Sequence, residues 1–162
     1  MKWAYRKLDA NANQDLRITP DSYLRRPIKS NKYLNMNKEI CVIDDDHIYQ
    51  LIIEKIIRRT AIFVKSTEYI NATHAFQQFK DPKFPLPHLI LLDINMPQMD
   101  GWEFITQLSS CRPNLKNETK IYIVTSSIAT ADKLKAASFE EISGFLSKPV
   151  SVQKLKEIGG EI

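Results

Sequence analysis

The chain has 162 residues, 43% of them hydrophobic and 26% charged, which suits one globular domain with an appendage and leaves too little material for a two-domain enzyme. Its net charge of +4 is uneven: residues 1–36 hold eight Lys/Arg against three Asp, giving +5, while residues 37–162 hold fifteen Lys/Arg against sixteen Asp/Glu, giving −1. The basic stretch carries no recognisable nucleic-acid-reading motif and reads as a poorly ordered N-terminal extension, so nucleic acid is not an expected partner. No apolar run nears the ~20 residues of a membrane helix, and the N-terminus lacks the apolar core of a secretory leader. A cytoplasmic protein without membrane contact is expected. Cys41 and Cys111 form neither a disulfide framework nor a metal-ligand spacing and read as inert thiols.

From Lys38 onward, strand-like and helix-like patterns alternate. The apolar run 40–43 predicts the first strand, and the helical spacing over 47–59 places Ile48, Leu51, Ile52, Ile56 and Ile57 on one stripe, with Asp45 or Asp46 capping the first turn. A short strand over 62–65 and a helix holding Ala72, Ala75, Phe76 and Phe79 come next, closed by the Pro-rich loop 81–87. The run Leu89-Ile90-Leu91-Leu92 is apolar on both faces, as a central strand covered on both sides should be. A helix over 102–111, a strand over 120–125, a helix over 130–139 and a strand over 144–147 complete the series. The last residues place Val152, Leu155 and Ile158 at helical spacing and leave no room for an output domain. Five βα units imply an α/β fold, a parallel sheet wrapped by helices, with ligands bound beyond the carboxyl ends of the strands.

The residues at those ends carry the chemistry. They are Asp44-Asp45-Asp46 after the first strand, Asp93 after the third, Thr125-Ser126 after the fourth and Lys148 after the fifth. Converging carboxylates repel one another unless a hard divalent cation neutralises them, and magnesium suits oxygen ligands while leaving room for phosphate oxygens. An Asp beside such a cation can act as a nucleophile toward a phosphoryl group, with a lysine ammonium and a threonine hydroxyl receiving the incoming oxygens. The rival structural roles are helix capping for Asp44, Asp45 and Asp46 and a turn at Asp100-Gly101. A carboxylate directly after four apolar residues, as at Asp93, has few structural reasons to be there. His47, His74 and His88 share no spacing and read as surface or capping residues.

Four blocks in order resemble the receiver domain of two-component response regulators: Val42-Ile43-Asp44-Asp45-Asp46, the run from Leu91 to Gly101, Ile123-Val124-Thr125-Ser126, and Gly144-Phe145-Leu146-Ser147-Lys148-Pro149. The resemblance covers roughly residues 37–158 and implies a flavodoxin-like, doubly wound five-stranded sheet of order 2-1-3-4-5 with five helices. It makes Asp93 the phosphoacceptor, Asp44 and Asp45 the acidic pair with Asp45 the direct Mg2+ ligand, and Asn95 a backbone-carbonyl ligand. Thr125 becomes the switch hydroxyl, with Ser126 beside it. Lys148 contacts the phosphoryl group, Phe145 is a switching aromatic, and Pro149 is a structural proline often preceded by a cis bond. Asp46 receives no role, while Asn95 and Ser127 stand where the family modulates dephosphorylation. The implied partners are a histidine kinase or histidine phosphotransfer protein and an unidentified downstream protein. The implied function is a single-domain receiver, with no turnover beyond its own phosphorylation and dephosphorylation. The enzymatic alternative, an aspartate-nucleophile phosphohydrolase, wants a second Asp as general acid where Asn95 stands.

The extension holds one weak motif. Residues 11–19 partly follow a calcium-loop pattern, but Leu16 stands where the turn needs Gly, and Ser22 where a bidentate Glu should close the cage. Met36 lies close before the first strand, at the usual distance of a start methionine in such domains, so residues 1–35 read as an upstream extension without function.

Overall fold

The computed structural model describes residues 37–126 and 130–162. The basic extension with its partial calcium-loop pattern and Ser127 lie outside the described residues. Strands β1 (Lys38–Ile43), β2 (Phe63–Tyr69), β3 (Leu89–Leu92), β4 (Lys120–Thr125) and β5 (Ile142–Ser147) form one parallel sheet of order β2-β1-β3-β4-β5. Among the described residues six helices surround it: α1 (His47–Thr60), α2 (Ala72–Phe79), α3 (Gly101–Cys111), α4 (Leu115–Glu118), α5 (Thr130–Ala136) and α6 (Val152–Gly160). The single turn α4 adds a sixth helix to the five expected. Four residues are too few to show a helical period, and Leu115 alone anchors the turn in the core.

Residues of the central strands alternate between two cores, because successive side chains of a strand point to opposite faces. Ile40, Val42, Leu89 and Leu91 face α1 and α6, whereas Cys41, Ile43, Ile90 and Leu92 face α2 and α3. Lys38 is buried at the start of β1 and donates to the Gly159 carbonyl at 2.6 Å, tying the end of α6 to the sheet. Both cysteines are free, Cys41 buried and Cys111 exposed, and burial holds the Cys41 thiol well above its ordinary range.

Two expectations need correction. The first half of the stripe expected of α1 is one position out of phase, while Ile57 is buried and Ile56 packs against the core as expected. Tyr49, Ile53, Ile57 and Thr60 are buried, while Ile48, Leu51 and Ile52 are 71%, 62% and 42% exposed. This helix is isoleucine-rich on more than one face, so periodicity offers two stripes. The Asp46 cap sets the start of the helix and turns the Tyr49 stripe onto the sheet. Strand β2 runs beyond residue 65 to Tyr69, because β1 supplies a parallel partner at each position from Glu39↔Lys65 to Ile43↔Tyr69. The polar Lys65, Ser66 and Glu68 are exposed on an edge strand.

Candidate functional site

Three backbone hydrogen bonds carry the sheet ladder one residue past the strands that feed the site. The Asp44 N–H donates to the Tyr69 carbonyl at 3.0 Å, that of Asp93 to Ile43 at 2.9 Å, and that of Lys148 to Thr125 at 3.0 Å. These three residues are therefore held on regular backbone rather than on free loop. Carboxylate oxygens of Asp44, Asp45 and Asp93 all lie within 4.8 Å of one another. Lys148 reaches in from β5, its Nζ 2.6 Å from Asp44 Oδ2 and 2.5 Å from Asp93 Oδ2.

Three carboxylates against one ammonium leave two negative charges uncompensated, the charge of one divalent cation. The donor set is hard oxygen, partly buried and partly open, since Asp44 is buried and Asp45 exposed. Both features fit magnesium better than a thiophilic metal. Burial raises the Asp44 carboxyl above the ordinary aspartate range, outweighing the Lys148 ammonium and the Asp46 N–H that lower it, and Asp93 adds a further upward push. For Lys148, burial disfavours the charge, but the hydrogen bonds and charges of Asp44 and Asp93 more than offset it and raise the amine above the ordinary lysine range.

The other expected residues surround this cluster. Asn95 is exposed, and its backbone N–H donates to Asp93 Oδ1 at 3.0 Å, orienting the carboxylate. Thr125 is buried at the end of β4, Ser126 is exposed beside it, and Phe145 is half-buried against the α2–α3 core. The Lys148–Pro149 peptide bond is cis. Asp46, which the resemblance leaves without a role, is the one of the two expected caps that the helix uses: it accepts from the N–H groups of Ile48 and Tyr49 at 2.8 and 3.1 Å. His88 Nδ1 accepts from the Glu39 N–H at 3.1 Å, a strand-capping bond.

Three neighbours of the site were not visible in the sequence. The Gln50 side chain donates to the carbonyls of Asp44 and Tyr69 at 2.8 and 2.9 Å, holding the acidic turn to the end of β2. Gly101 opens α3 so close to Asp93 that a Cβ there would lie 2.5 Å from the Asp93 carbonyl oxygen; only glycine permits that approach. Tyr49 places its ring 4.6 Å from Lys148 Nζ. Asp-Gly at 100–101 signalled a turn, but the close approach depends on how α3 folds back on β3. Tyr49 and Lys148 are far apart in sequence, so no local pattern joins them.

Comparison with known proteins gives one answer. The response regulator receiver domain family matches residues 40–158. The chain is 25% identical over 122 residues to the chemotaxis protein CheY of Thermotoga maritima, covering 75% of this chain and 94% of that protein. It superposes on a two-component response regulator from Cytophaga hutchinsonii with a TM-score of 0.71 at 25% identity, covering 77% of this chain and 96% of that one. The receiver domain of the sensor histidine kinase PA1611 from Pseudomonas aeruginosa, which holds a magnesium ion in its active-site cleft, shares the fold with a TM-score of 0.62 at 18% identity, covering 77% of this chain and 96% of that one. Because the family match runs from within β1 into α6, over the whole βα series, the chain belongs to the response regulator receiver domain family.

Proposed function

We propose that Asp93 takes a phosphoryl group from a histidine kinase or a histidine phosphotransfer protein and that the modified domain then binds a downstream protein. The observation that carries this reading is the clustering of the Asp44, Asp45 and Asp93 carboxylates within 4.8 Å of one another, with the Lys148 ammonium paired to Asp44 and Asp93, at the carboxyl ends of β1, β3 and β5. A carboxylate oxygen of Asp93 forms the new O–P bond as the N–P bond to the donor imidazole breaks, and the donor nitrogen keeps the electron pair. Lys148 supplies a full positive charge to the incoming phosphoryl oxygens and the Thr125 hydroxyl one neutral hydrogen bond, with Ser126 alongside. The side chains of Asp45 and Asp93 and the backbone carbonyl of Asn95 would hold magnesium, with Asp44 completing the acidic pair. Bound there, the ion supplies charge neutralisation and a contact for a phosphoryl oxygen.

The exposed Ile48, Leu51 and Ile52 of α1 stand just past the acidic turn and offer an apolar face to the phosphodonor. The output surface is the one built by α5, β5 and α6, where Leu134 is 72% exposed. Thr125 and Phe145 bias that surface between two states on phosphorylation. Turnover is confined to the domain's own phosphorylation and dephosphorylation, and the cytoplasm is where its donors act; among the described residues no helix is long and apolar enough to cross a membrane. The phosphohydrolase alternative is not favoured, because an amide at Asn95 cannot act as the general acid.

Incubation with acetyl phosphate and magnesium should raise the intact mass by one phosphoryl group in wild type and leave Asp93→Asn unchanged. Persistent modification of Asp93→Asn would move the nucleophile elsewhere, with Asp45 the first suspect.

A further inference from the structure

Tyr49 Oη and Thr119 Oγ1 are the buried side-chain polar atoms without a hydrogen-bond partner among the described residues. Burial raises the Tyr49 hydroxyl well above the ordinary tyrosine range, outweighing the Val150 backbone group that lowers it. At 4% exposure, Tyr49 buries its ring, and the ring is the part of it that meets Lys148. The next two residues of its stripe, Ile53 and Ile57, are aliphatic, and the aromatic stands where the stripe meets Lys148.

An ammonium carries three N–H groups. Oxygens of Asp44 and Asp93 take two of them, and the third partner of Lys148 among the described residues is the face of the Tyr49 ring, 4.6 Å from Nζ to centroid. The two carboxylates are the partners Lys148 must share once a cation and a phosphoryl group compete for their oxygens. The ring is the partner it can keep. We propose that Tyr49 is a positioning residue for phosphoryl transfer, its ring face confining the Lys148 ammonium to the position from which it meets the incoming phosphoryl oxygens. This rests on the reading of Lys148 given above. It assigns to α1 a part in the chemistry separate from its exposed face.

The test compares full-length wild type, Tyr49→Phe and Tyr49→Leu by two measurements. In the metal-free protein, NMR of the Lys148 ε-methylene protons reports the ring directly. They should lie upfield of the other lysines in wild type and Tyr49→Phe, and return to the ordinary position in Tyr49→Leu. With acetyl phosphate and magnesium, the rate of Asp93 phosphorylation should stay within about twofold in Tyr49→Phe and fall roughly five- to thirty-fold in Tyr49→Leu. Should Tyr49→Leu fail to unfold cooperatively, Tyr49→Met fills more of the space and takes its place. Phosphorylation of the non-aromatic variant at the wild-type rate overturns the proposal, whatever the resonance shows. A fall in Tyr49→Phe as large as in Tyr49→Leu overturns it too, because the hydroxyl would then be responsible. If wild type itself takes no phosphoryl group, the receiver chemistry fails, and the Lys148 resonance still decides whether the ring holds the ammonium.

Discussion

At the scale of single residues, Asp44 shows what the site costs before any cation arrives. Its carboxyl titrates above the ordinary aspartate range chiefly because it is buried. A folded-state pKa above the unfolded value means the folded protein takes the proton more readily, so this group favours folding at acid pH and loses that contribution as pH rises through its folded pKa. Above its folded pKa the charged Asp44 therefore works against folding. Asp44→Asn should raise the thermal midpoint of the metal-free protein, by about 2–4 °C for each kcal/mol relieved, and reduce the stabilisation that magnesium gives wild type. A lower midpoint would mean that pairing with Lys148 outweighs the burial. Magnesium binding should weaken on acidification from a pH above the ordinary aspartate range, because the proton competes for Asp44. Asp93 was legible in the sequence because a carboxylate ending an apolar strand has so few structural uses. Tyr49 was not, because its meaning comes from a lysine brought to it by β5.

At the scale of elements, the loop between α2 and β3 depends on one buried cation. Arg112, 4% exposed at the end of α3, donates through Nε to the Phe79 carbonyl at 2.6 Å and through Nη2 to the carbonyls of Asp81 and Phe84 at 2.5 Å each, with Nη1 on Glu118 at 2.5 Å. Arg112→Met keeps the apolar stem but removes the donors, which should cost roughly 2–4 kcal/mol in urea unfolding. Phosphorylation of Asp93 should survive in the folded fraction, since α3 starts beside Asp93 and ends, at Arg112, away from it. A loss below about 0.5 kcal/mol would show that water replaces the guanidinium without penalty. The sheet was readable because β1 and β3 are continuous apolar runs. The phase of α1 was not, since apolar residues occupy two of its faces and only the Asp46 cap and the sheet choose between them. The polar half of β2 was hidden for a related reason: its strand character is conferred by pairing with β1, not by its own side chains.

At the scale of the whole molecule, charge and family match divide the chain in the same region. The balance of −1 and the family match both belong to the part after residue 36, and the excess of +5 to the part before it. A chain starting at Met36 keeps Lys38 and its bond to Gly159, so α6 stays tied to β1. It should unfold in one cooperative transition and accept a phosphoryl group as the full chain does; loss of cooperativity would make the extension part of the core. What the domain exists to carry is one phosphoryl group on one carboxylate. Borohydride reduction of the phosphorylated full-length protein, followed by peptide sequencing, reads that carboxylate directly, because an aspartyl phosphate is reduced to homoserine. Homoserine is expected at position 93 alone, and none when magnesium is chelated. Homoserine at position 44 or 45, or conversion at 93 that persists without a divalent ion, would contradict that expectation.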